Sequence, residues 1–146
     1  MLRTSPLRTV SICLSTCFYC IFVFNTPSPC MAETLIELKN ASKHNSDILL
    51  RDGYVLVYIQ KGCAPCHEYV QDLARCQEPV KSKVRIVSVS TLSQSKVLAR
   101  KIPDAFPFYV MKDQRIARSY GTTPITKSAR GIKIGKLTCE ILEELD

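Results

Sequence analysis

Tyr54-Val55-Leu56-Val57-Tyr58-Ile59 is an unbroken apolar and aromatic run, and Cys63-Ala64-Pro65-Cys66 follows it after only Gln60, Lys61 and Gly62. A short run of this kind, rich in β-branched and aromatic residues and entered through Asp52-Gly53, predicts a strand covered on both faces. Cys66, Tyr69, Val70, Leu73 and Cys76 then recur at three- and four-residue spacing. That spacing predicts a helix launched directly at the cysteine motif, with Glu78-Pro79 expected to end it.

The remaining chain supplies elements for one α/β domain. Residues 84–89 read as a second interior strand, and residues 93–102 as a helix packing through Val97, Leu98 and Ile102. Residues 106–111 read as an apolar strand interrupted by Pro107, and Lys112-Asp113-Gln114 turns it into a return strand over 115–120 that ends at Gly121. Together these predict a β-hairpin. Residues 122–136 carry Lys127, Arg130, Lys133 and Lys136 and read as a polar, basic connection. Residues 137–145 close the chain as a helix facing inward through Ile141, Leu142 and Leu145. Ahead of the buried run, residues 33–39 alternate as an edge strand or a frayed helical turn, and Ser46 or Asp47 caps a short helix through Ile48-Leu49-Leu50. The expected architecture is α/β, a mixed central β-sheet with helices on both faces.

Eight cysteines would suggest a disulfide scaffold if all belonged to the folded unit, but Cys13, Cys17, Cys20 and Cys30 lie in the first thirty residues. That stretch has Arg3 and Arg8, no acid, and then the uncharged, mostly apolar run 10–24. It reads as a signal peptide over 1–32, cut after Ala32, with residues 33–146 as the mature domain. The apolar run is short of the ~20 residues a spanning helix needs, which favours cleavage over an uncleaved membrane anchor, the alternative. Export, to a periplasm or to the outside, places Cys63, Cys66, Cys76 and Cys139 where disulfides persist. The formal charge of +7 is spread along the chain without an aromatic-studded basic stripe, so no nucleic-acid partner is expected.

Two thiols separated by two residues at the start of a helix can close a small ring, and the exposed N–H groups of the helix end stabilise a thiolate on the first. Cys63 is therefore the expected nucleophile and Cys66 the resolving thiol. Pro65 sits just inside the helix, where its missing N–H costs nothing. Cys76 and Cys139 are either ordinary buried cysteines or, on two helices sharing a face, a structural disulfide.

The order of buried strand, Cys-Ala-Pro-Cys, strand, helix and proline-led hairpin resembles the thioredoxin superfamily over nearly the whole of residues 35–145. The resemblance implies a thioredoxin-like fold without a bound cofactor or metal. It also implies thiol:disulfide exchange on cysteine-containing proteins, served by a redox partner protein. Within it, Pro107 matches the proline held in cis beside the dithiol, and Phe106 the residue whose backbone pairs with substrate. The near match to Cys-Gly-Pro-Cys leans toward a reductase. Gly62 stands where the family usually has tryptophan, and Val57 about where thioredoxin has a buried acid, which leaves water, His67 or Glu68 to assist Cys66.

Two rival readings stay open. Cys63-Ala64-Pro65-Cys66-His67 also satisfies the covalent c-type haem pattern, which would make the chain an electron carrier. Alternatively, a purely structural Cys63–Cys66 bond would leave a non-catalytic interaction module. Zinc on Cys63, Cys66, His67 and Cys76 is disfavoured, because adjacent residues point poorly toward one tetrahedral centre.

Overall fold

Strand β3 (Val55–Ile59) is buried at every residue. Val55, Val57 and Ile59 enter one apolar layer, and Leu56 and Tyr58 the other. Alternate side chains leave a strand on opposite faces, so a strand covered on both sides reads as a continuous apolar run. The structure, a computed structural model, describes residues 32–113 and 122–145.

On one side β3 pairs in parallel with β4 (Val84–Ser88), and β4 pairs in parallel with β5 (Phe108–Met111). On its other side β3 pairs antiparallel with β6 (Ile125–Ser128), which turns back into β7 (Gly131–Ile134). Strand β1 (Thr34–Glu37) lies antiparallel between β5 and β2 (Lys43–Asn45). The sheet order is β2-β1-β5-β4-β3-β6-β7.

Helix α1 (Ser46–Arg51) sends Leu49 to the layer of Leu56 and Tyr58. The opposite layer receives Tyr69, Val70 and Leu73 from α2 (Ala64–Leu73), and Val80 from α3 (Glu78–Lys83). Leu98 from α4 (Leu92–Ala99) and Leu142 from α5 (Cys139–Glu143) complete it. The architecture is α/β, with a mixed sheet and helices on both faces.

Several local expectations are corrected. Residues 34–37 form an interior strand, because β2 covers the edge they would have occupied. Asn45 caps α1, its side chain accepting from the amides of Asp47 and Ile48, so Ser46 and Asp47 fall inside the helix. Glu78-Pro79 begins a helix, with proline in the first turn where no N–H is needed. Val97 is 49% exposed and Ile141 40%, while Leu98, Ile102 and Leu142 carry the packing of their segments.

The largest correction concerns the hairpin. Strand β5 is held by β1 and β4, and the expected return strand 115–120 lies outside the described residues. The hairpin found is β6–β7, inside the stretch read as a polar connection. Its inward side chains are Thr126 (1% exposed) and Ser128 (7%), so hydropathy gave no sign of burial.

A charged group is also buried in this frame. Glu33, 3% exposed, carries a carboxylate 2.6 Å from Lys127 Nζ and accepts a hydrogen bond from the Tyr58 hydroxyl. Its amide donates to Ser46 Oγ at 2.9 Å. These bonds tie the start of the first strand to β3 and β6, and a buried carboxylate persists only when so paired.

Burial raises the pKa of Tyr69, whose hydroxyl lies 3.2 Å from Thr126 Oγ1, and burial followed by the nearby Glu37 charge raises that of Tyr109. The pKa of each phenol is raised above its unfolded value, so its contribution is intact below pH 10.0 and lost as pH climbs through the folded values. The urea midpoint should therefore hold through neutral pH and fall above about pH 10. Tyr69→Phe should cost ~1 kcal/mol at neutral pH and flatten the alkaline fall; an unchanged alkaline slope would remove Tyr69 from this account.

Candidate active site

The turn between β3 and α2 is built from Gln60 to Cys63, with the Cys63 amide donating to Gln60 O at 3.3 Å. Gly62, with φ +83°, occupies the position where such a turn demands the left-handed region. The turn delivers Cys63 to the N-cap of α2, where its Sγ accepts the Cys66 amide at 3.2 Å. Its carbonyl accepts from Cys66 and His67, so the helix starts on the motif itself. Pro65 lies in the first turn.

Cys63 and Cys66 are joined in a disulfide with their Cα atoms 5.2 Å apart, and each is 1% exposed. Cys76 and Cys139 form a second disulfide, Cα atoms 5.6 Å apart, linking the turn after α2 to the first residue of α5. Both bonds border the same apolar layer. His67 is half-buried. Glu68 is exposed and paired with Lys136 Nζ at 2.5 Å; that hydrogen bond and charge hold its carboxyl below the usual range.

Phe106 and Pro107 are not beside the dithiol. Strand β5 runs parallel to β3, so its leading residues lie at the end where β3 begins, whereas Cys63 follows the end where β3 stops. Phe106 is buried in the core, and Pro107 lines an open groove with Leu38, Ile102 and Asp104. The proline near the dithiol is Pro124, which leads into antiparallel β6, with Thr122 O 2.6 Å from Cys63 Sγ. Both the Phe106–Pro107 and the Thr123–Pro124 peptides are trans.

Thr122 and Pro124 were missed because basic residues dominate their stretch. A usable signal was present all the same: proline is favoured at the first residue of a strand, and β-branched Ile125, Thr126, Ile132 and Ile134 flank a short turn.

No protein-family model matches the sequence, and no curated protein matches it. Solved structures do. The chain is similar to a thioredoxin-like protein from Bacteroides caccae, with TM-score 0.53 and 18% identity, over 76% of this chain but only 46% of that one. It is also similar to the thioredoxin domain of a thiol-disulfide oxidoreductase from Bacteroides vulgatus, with TM-score 0.54 and 18% identity, over 85% of this chain and all of that one. A third, the exposed lipoprotein thioredoxin of Streptococcus pneumoniae, gives TM-score 0.56 at 13% identity, covering 78% and 97% of the two chains.

The fold is thioredoxin-like.

Within this thioredoxin-like frame Val57 is fully buried directly ahead of the motif, so no acid stands at that point of β3. Among the described residues, no cluster of His, Cys, Asp and Glu could hold a metal, and no helix is long and apolar enough to cross a membrane. A covalent haem would need both motif sulfurs to face an open crevice, whereas here each sulfur faces the other and both cysteines are buried.

Proposed function

We propose that the protein is an exported thiol:disulfide oxidoreductase that exchanges two electrons between the Cys63–Cys66 pair and disulfides of other proteins, acting mainly as a reductase. The observation that carries this reading is a reversible type of bond set at a helix N-cap, with Cys63 Sγ bonded to Cys66 Sγ and facing the Cys66 amide.

In the reducing direction the Cys63 thiolate attacks one sulfur of a substrate disulfide. An S–S bond forms to Cys63, the substrate bond breaks, and the departing thiolate takes a proton from water. Cys66 then loses its proton and attacks Cys63 Sγ, which restores the internal disulfide and releases the second substrate thiol. The dithiol is oxidised by two electrons and the substrate reduced by two. A redox partner protein returns the pair to the dithiol, and running the steps backwards oxidises a substrate instead.

Cys63 is 1% exposed and Thr122 O lies 2.6 Å from its sulfur, so attack requires the 122–124 segment to draw back. The leader over residues 1–32 supports an oxidising destination, where a reductase keeps selected cysteines open.

The test is a redox titration of the full chain in dithiothreitol buffers, with free thiols trapped by alkylation and the Cys63–Cys66 peptide read by mass. A reversible two-electron transition of that pair is expected. A pair that never exchanges under native conditions would leave only the interaction-module reading, and covalently bound haem in exported protein would replace it with an electron carrier.

A further inference from the structure

Behind the dithiol turn lies a group of buried hydroxyls that the exchange steps do not use. Strand β4 ends at Ser88, the chain continues through Val89 and Ser90, and α4 brings Ser95 against this segment. Ser88 and Ser95 are fully buried and Ser90 is 8% exposed. Hydroxyls in an apolar interior are costly unless each is bonded. Here Ser95 Oγ donates to Ser88 Oγ at 2.7 Å, with Ser90 O as its alternative acceptor at 3.2 Å, and the Ser90 amide donates to Ser88 Oγ at 3.2 Å. The Ser90 side chain is thereby delivered to a defined place.

At that place Ser90 Oγ accepts the amide hydrogen of Lys61 at 2.9 Å. Lys61 is the first central residue of the turn Gln60–Cys63, and a β-turn closes on its last amide only, so the amide of its first central residue needs a partner from outside. Ser90 supplies it. The neighbouring rung, from the Val89 amide to Ile59 O at 2.9 Å, holds the two chain segments side by side at this point.

We infer that Ser90 is a positioning residue for the dithiol: anchored by Ser88 and Ser95, its hydroxyl locks the turn that seats Cys63 on the α2 N-cap and so sets the balance between the dithiol and disulfide forms. This rests on the exchange function proposed above.

The two redox states depend on the turn unequally. In the disulfide the covalent bond itself keeps Cys63 against Cys66. In the dithiol that bond is gone, and the turn, with the bonds from the Cys66 and His67 amides to Cys63 O, must keep Cys63 Sγ facing the Cys66 amide, the interaction that favours a thiolate. Loss of the Ser90 hydroxyl therefore costs the dithiol more than the disulfide, and the pair becomes harder to reduce.

Ser90→Ala, titrated against dithiothreitol in the full chain and read on the Cys63–Cys66 peptide, should shift the equilibrium about fivefold toward the disulfide, as expected for one lost hydrogen bond. The ultraviolet thiolate absorbance of the reduced protein should move to higher pH. Ser90→Thr, which keeps the hydroxyl, should restore both. Ser95→Ala, which frees the Ser88–Ser90 segment, should shift them in the same direction, and it replaces Ser90→Ala if that variant does not fold. A merely structural serine would lower the stability of both redox states equally, so coincident titrations of wild type and variant would overturn the inference while leaving the exchange function standing. A wild-type pair that does not titrate at all would overturn the exchange function, and this inference with it.

Discussion

Replacing Cys66 with serine should turn the protein into a trap. Cys63 remains able to attack a disulfide, but nothing then displaces the substrate from it, so a mixed disulfide through Cys63 accumulates and survives until a reductant is added. Cys63→Ser should form no such adduct and should lose exchange to background, because Cys66 sits inside the first turn of α2, behind the N-cap position that Cys63 holds. The asymmetry is the informative part. A structural disulfide would lose both adducts alike, whereas a nucleophile at the N-cap and a resolving thiol behind it give one trap and one dead variant. Non-reducing electrophoresis of alkylated extracts from cells exporting each variant reads the difference directly. Adducts that form through Cys66 and not Cys63 would reverse the assignment.

The second large effect is on stability. Joining Cys76 to Cys139 closes a loop with a sequence separation of 63, and the chain-entropy estimate for a loop of that length is ~4 kcal/mol. Domains of this size are held by only ~5–15 kcal/mol in total, so losing the bond should remove a large fraction. Helix α5 has five residues, too short to persist alone, and beyond the disulfide its anchor is buried Leu142. In Cys76→Ala/Cys139→Ala the urea midpoint should fall accordingly, and the C-terminal helix should exchange its amides first. Redox titration of Cys63–Cys66 in the same variant should stay close to wild type, because the second bond lies at the far end of α2. A loss below about 1 kcal/mol would mean that this bond does not cross-link the native chain.

The dithiol and the strand behind it were legible in the residues because their signals are local. An apolar run buried on both faces, a turn glycine, and two cysteines at one-turn spacing each act within a few residues of one another. The pairing of Cys76 with Cys139 could be read only as an alternative, since two cysteines far apart in sequence meet only if two helices pack on the same face. Pro107 and Pro124 show where sequence order misleads. Both precede strands, and Pro107 sits in the more apolar setting. Which of them lies beside Cys63 depends on the direction its strand takes against β3 and β4, and neighbouring residues do not determine strand direction.

By itself, then, the sequence determined the buried strand, the helix start and the placing of Cys63 and Cys66 at that helix start, because hydrophobic periodicity and cap chemistry operate over one or two turns. Only the tertiary structure decided that β5 runs parallel and carries Pro107 away, that antiparallel β6 brings Thr122 and Pro124 to the dithiol, and that Ser90 supports the turn from the segment just past β4. Those relations are set by sheet pairing between distant segments, where backbone hydrogen bonds confer affinity without regard to side-chain identity.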